Sequence, residues 1–181
     1  MHAFVDESKR PGRYLMCAVL VAPAHLTEVR RSLAGLCLPR QRRLHLNKER
    51  DPRRRLILDR IAALPVRAVI FSRPGPATQA RRACLRAMTA ELIARRVIRL
   101  VIEPADGYGP PDRRAILDEL RAHGQPTTLV YEHVPVHLEP ILWAADAVAW
   151  GYGAGGDWRR RIQRLIETEP EKRETRAATV R

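Results

Sequence analysis

The sequence predicts an α/β layered domain built on a mixed five-stranded sheet, and three observations point there. Two apolar runs separated by Pro11-Gly12 open the chain and predict an antiparallel hairpin. Helical and strand periodicities then alternate, the pattern that sets parallel strands beside such a hairpin. With 181 residues, 45% of them hydrophobic, the chain is long and apolar enough to bury one sizeable core.

The first strand is Ala3-Phe4-Val5 running into Asp6-Glu7-Ser8, with Asp6 at its carboxyl end. The second spans 14–22 and stops before Pro23. Leu26, Val29, Leu33 and Leu36 recur at helical spacing and predict a helix over 25–37. A basic loop, 39–43, leads into the short alternation Leu44-His45-Leu46. Asp51-Pro52 is a strong helix start, and Leu56, Ile57, Ile61 and Leu64 give that helix its apolar face. Strands follow at 66–71, 97–102 and 127–134, separated by helices at 77–95 and from Asp112 to Gly124. A hydrophobic helix over 138–150, a glycine-rich hinge over 151–156 and a basic helix over 157–166 complete one domain, 1–167. From 168 to 181 the chain is charged and lacks apolar residues able to dock, so a disordered tail is expected there.

Lys+Arg number 33 against 20 Asp+Glu, a formal charge of +13, and only three of the 33 are lysine. Arginine binds phosphate through a planar two-pronged fork, so nucleic acid leads among polyanionic partners. An arginine-rich composition without functional meaning is an equal explanation for charge alone. Cys17, Cys37 and Cys84 are odd in number and widely spaced, which excludes a zinc set or a disulfide framework and predicts reduced core thiols. No signal-peptide core and no stretch near about 20 apolar residues is present, so a cytoplasmic protein without a membrane partner is expected.

Three acids interrupt apolar runs. Asp6 closes the first strand, Glu103 closes the strand 97–102, and Asp146 is the sole charge within 141–150. Each alone suits a cap, a loop end or an arginine partner. Together they suit a shared site, because ligands of open α/β sheets collect at strand carboxyl ends. Clustered carboxylates repel one another and are relieved by Mg²⁺ or Mn²⁺, hard cations that take oxygen ligands. Two such ions about 4 Å apart can activate water and stabilise the leaving oxygen of a phosphodiester.

The same residues carry a family resemblance. Phe4-Val5-Asp6-Glu7-Ser8 with a hydrophobic second strand resembles the opening of the domain-of-unknown-function 3800 family, although that family usually has Gly where Lys9 stands. The run 143–150 resembles its closing helix, with Ala144 replacing a leucine before Ala145-Asp146, and Leu44-His45-Leu46 with Lys48-Glu49 resembles its middle segment. Spread over roughly residues 3–160, the resemblance implies a ribonuclease-H-like fold: a mixed five-stranded sheet with helices on both faces. It also implies a nuclease or a nucleic-acid-associated protein. Carried over, Asp6, Glu103 and Asp146 become the metal-binding and catalytic carboxylates, with Glu7 or Glu49 as a fourth. Glu103 stands where Asp is commoner.

Other signals are weaker. The string 151–156 matches a dinucleotide-binding glycine pattern but follows a helix, not a strand. His133 and His137 are separated by Pro135, which disfavours a shared zinc face. His45 suits a structural, phosphate-side or accessory metal-site role. Arg159-Arg160-Arg161 beside Trp158 suits a grip on a phosphate backbone with a stacked base, or simply a solvated basic face. Three functions follow: a divalent-metal-dependent nuclease, a catalytically silent nucleic-acid- or protein-binding module of the same fold, and an unrelated small-molecule enzyme.

Overall fold

The computed structural model describes residues 1–105, 107–124 and 129–168. The hairpin forms as β1 (His2–Arg10) and β2 (Arg13–Val21), joined at Pro11-Gly12, where Gly12 takes a positive φ of 70°. Chain order continues with α1 (Leu26–Ala34), α2 (Asp51–Ala62), β3 (Val66–Pro74), α3 (Ala77–Ala94), β4 (Arg99–Ile102), α4 (Gly109–Ala122), β5 (Val130–His133), α5 (Pro140–Ala154), α6 (Gly156–Ile162) and β6 (Ile166–Thr168). The sheet order is β5-β4-β1-β2-β3-β6. The β1–β2 and β2–β3 pairs are antiparallel, while β4, β5 and β6 join in parallel.

Strand alternation sorts the core into two layers. Phe4, Cys17, Val19 and Ile70 face α1, α2, α5 and α6; Ala3, Val5, Met16 and Phe71 face α3 and α4. The α5 helix is apolar on nearly every side because it is sunk between the sheet and its neighbouring helices; Ile141, Leu142, Ala144, Ala145 and Val148 are fully buried. Cys17 and Cys84 are buried, Cys37 is half-buried, and all three are free thiols.

Several expectations are corrected. The sheet has six strands among the described residues, because the predicted helix over 157–166 ends at Ile162 and its last residues turn into β6 beside β3. The predicted hinge is absent: Gly151 to Ala154 continue α5, and only Gly155 and Gly156, both at positive φ, break the chain. The helix glycines serve close packing. A Cβ at Gly153 would stand 2.7 Å from Arg10 Nε and 2.9 Å from Leu15 Cδ1. The first strand runs four residues past Asp6, and the helix expected from Asp112 starts at Gly109. Thr168, which the sequence placed in the tail, pairs with Val69 in β6; residues 127 and 128 of the predicted fifth strand and the rest of the tail, from 169, lie outside the described residues.

On the α3/α4 face, Arg81 and Asp112 are 2% and 1% exposed. Arg81 donates to both Asp112 oxygens, with Nη2 to Oδ2 at 2.7 Å, and to the Tyr14 hydroxyl at 2.8 Å; Glu7 closes the group. Removing one partner of a buried pair strands the other charge, at a cost of about 3–5 kcal/mol. Arg81→Met is therefore expected to lose about 3–5 kcal/mol in urea unfolding, and Arg81→Met/Asp112→Leu to recover part of that loss.

Candidate active site

The parallel pairing of β1 with β4 ends at Val5 opposite Ile102, while β1 and β2 continue outward. Asp6 is the first β1 residue beyond that end, and Glu103 is the first residue after β4, its N–H donating to Val5 O at 3.4 Å. A notch therefore opens beside Asp6, lined by Val5, Asp6, Glu7, Arg81, Ile102, Glu103, Pro104 and Ala105. Even-numbered β1 residues face α5, which presents Asp146 from its mid-length.

Burial, first of all, pushes the Asp6 carboxyl well above the usual carboxylate range. The charges of Asp146 and Glu103 push the same way, Arg43 pulls partly back, and a hydrogen bond with the Glu103 carboxyl adds to the rise. Like charges in a desolvated setting disfavour ionisation, and a shared proton between two carboxyls relieves part of the repulsion. Glu7 N–H donates to Asp6 Oδ1 at 2.6 Å and fixes the side chain. His45 Nδ1 stands 3.4 Å from Asp146 Oδ2, and Arg43 Nη1 stands 3.4 Å from Glu103 Oε1.

Asp6, read from the sequence together with Glu103 and Asp146, is thus brought into electrostatic contact with each of those two acids, and His45 stands beside Asp146. Glu7 is not part of this group: it lies on the opposite face of the sheet, where Tyr14 donates to it and Arg81 pairs with it. Glu49 is taken by Arg53 at 3.1 Å and by Gln41 Nε2 at 2.7 Å. Arg43, absent from the sequence-based site, belongs to it; its position in an undifferentiated basic loop gave no sign of that. Among the described residues no three Asp, Glu, His or Cys side chains converge closely enough to hold a metal ion as they stand. The donor chemistry nevertheless suits a hard cation: the set is carboxylate oxygen, and the carboxylates crowd one another.

Trp158 and the arginines of α6 form a different margin. Trp158 meets Trp150 edge to face, with ring centroids 5.3 Å apart, and lies beneath Arg55. Arg159 stacks on Tyr152 at 4.1 Å, Arg160 pairs with Asp157 at 3.3 Å, and Arg161 bonds both Asp59 and Asp157. Trp150 is one helical turn beyond Asp146, and Arg10 and Arg54 approach its ring at 5.8 and 4.9 Å. This aromatic and arginine cluster is therefore built largely from intramolecular contacts.

The raised Asp6 carboxyl sets a pH dependence. A carboxyl with a higher pKa folded than unfolded holds its proton preferentially in the native state, so its stabilisation is complete below the unfolded value, about 3.9, and is lost as pH rises through the folded value. With chelator present, Asp6→Asn is expected to raise Tm relative to the parent protein at pH 7, and the gain is expected to vanish by about pH 4. Thermal melts of both proteins across that range measure the difference directly.

No protein-family model matches the sequence. No curated protein matches it either. Among solved structures, its backbone is similar to a chain of the PCNA:RNase HII complex from Archaeoglobus fulgidus, with a TM-score of 0.55, 16% identity, and coverage of 98% of this chain and 87% of that one. At that identity the likeness concerns fold alone, and the fold is ribonuclease-H-like.

Proposed function

We propose that the protein is a divalent-metal-dependent nuclease, related to the domain-of-unknown-function 3800 family, that hydrolyses phosphodiesters in the cytoplasm. The observation that supports this most is that Asp6 is buried where β4 ends with Asp146 and Glu103 beside it, so that burial first and these like charges second leave its carboxyl hard to ionise. Such an arrangement is costly to the fold and is relieved by a divalent cation. Asp6, Glu103 and Asp146 would hold Mg²⁺ or Mn²⁺, which supplies an activated water and charge neutralisation at the phosphate. Asp6 is oriented by the Glu7 N–H, and Asp146 by His45 at the edge of the site. Nucleic acid is the partner that the arginine excess suits, with the exposed Arg160 and, at the expense of their present contacts, Arg159, Arg161 and Trp158 as its outer margin. The similar solved chain belongs to a complex of RNase HII with PCNA, so a nucleic-acid or protein partner is in keeping with the fold.

A catalytically silent binding module is the second candidate, and one observation favours it: no three acidic or histidine side chains among the described residues already stand in ligating positions. One experiment separates the two. The full chain, Asp6→Asn and Asp146→Asn are incubated with labelled single- and double-stranded DNA and RNA in millimolar Mg²⁺ or Mn²⁺. Each substitution is expected to lower cleavage by at least about a hundredfold, since an ion site contributes several kcal/mol to the transition state. Cleavage indifferent to Asp6→Asn rejects the assignment of the site; nucleic-acid binding with no cleavage and no ion uptake identifies the silent module.

A further inference from the structure

The segment between α1 and α2 crosses the acid cluster. His45 is extended, at φ −146° and ψ 98°, so neighbouring side chains point to opposite sides. Leu44 and Leu46, 3% and 1% exposed, are sunk in the core. Arg43 and His45 are thereby turned toward the acids, one to Glu103 and the other to Asp146. Two further contacts pin the segment: Trp150 Nε1 donates to Asn47 Oδ1 at 3.2 Å, and Arg54 Nε donates to Leu46 O at 2.9 Å.

Arg43 differs from the structural arginines. Arg81 grips Asp112 with two nitrogens while fully buried, and Arg30, though its side chain is 34% exposed, also grips Glu139 with two nitrogens, the shortest contact at 2.7 Å. Arg43 reaches Glu103 through one nitrogen at 3.4 Å, and its side chain is 38% exposed. A long, single-pronged, solvent-reached pair is one that another cation can replace.

We propose that Arg43 is the resident counter-ion of the acid cluster, and that it and a divalent cation compete for the same carboxylates. An ion close enough to ligate Glu103 would repel a guanidinium held against that carboxylate, so it enters as Arg43 leaves. This inference rests on the metal-dependent assignment of the site.

The test is Mn²⁺ binding by titration calorimetry, together with the Mn²⁺-induced shift in Tm, for the full chain, Arg43→Ala, Arg43→Lys and Asp6→Asn. Two charges competing for one site are thermodynamically linked, so Arg43→Ala is expected to bind Mn²⁺ roughly five- to tenfold more tightly. Its Tm shift should be larger than that of the parent. Arg43→Lys, which keeps the charge, should bind close to the parent and guards against a folding defect in the alanine variant. Parent protein that takes up Mn²⁺ in an Asp6-dependent way while Arg43→Ala binds no more tightly overturns the competition alone. Parent protein that takes up no Mn²⁺ through Asp6 overturns the metal site and the competition with it.

Discussion

The structure of this site depends on the repulsion that the buried Asp6 carboxylate meets from Glu103 and Asp146, each held on its own element. Asp6 is fixed by its pairing with Cys17 in β2, Glu103 by its attachment to β4, and Asp146 by a helix whose surrounding turns are buried. None of these elements can retreat without opening the core. The repulsion is met locally by the Glu7 N–H on Asp6, by Arg43 on Glu103 and by His45 beside Asp146. A polar cluster that costs stability and is held on rigid elements is a common mark of a functional site.

The notch exists because neighbouring strands differ in length. The β1–β2–β3 meander extends beyond β4, whose register with β1 stops at Val5, and the chain leaves β4 through Glu103-Pro104. Proline cannot donate to a ladder, so it favours an end to the strand at that point. Just behind, Arg81, Asp112, Tyr14 and Glu7 tie α3 and α4 to the same stretch of β1 from the opposite face. Residues 6 and 7 are thus held from both sides of the sheet, one in the acid cluster and the other in a buried ion-pair network.

Much of this was legible in the sequence, for a physical reason. A charge inside an apolar run needs compensation, so Asp6, Glu103 and Asp146 stood out, and alternating periodicities gave the layered fold. The parts that were not legible depend on distance in the chain. Asp6 and Glu7 are neighbours, yet strand alternation sends them to opposite faces, where Glu7 finds an arginine 74 positions away. Arg43 resembles every other arginine of its loop until Leu44 and Leu46 anchor the segment over Glu103 and Asp146. The glycines of 151–156 read as a hinge, because nothing local indicates that Arg10 and Leu15 need the space above Gly153. A three-residue strand such as β6 has too little sequence to carry a periodicity.

Net charge is a poor guide to where a polyanion would meet this protein. Many arginines are already neutralised or stacked: Arg30 on Glu139, Arg81 on Asp112, Arg161 on Asp59 and Asp157, Arg159 on Tyr152. Such guanidiniums hold helices together, and a phosphate could recruit them only by breaking those contacts. A loosely paired guanidinium beside a reactive site is different, because its partner can change without cost to the core. Arg43 meets that condition and lies against the acids, whereas Arg159 and Arg161 of α6 are tied to Tyr152, Asp59 and Asp157. Other arginines, such as Arg114 and Arg121 on Asp118, are held as loosely, so Arg43 is set apart by a loose hold together with a place against the acids, a combination visible only once the partners are known.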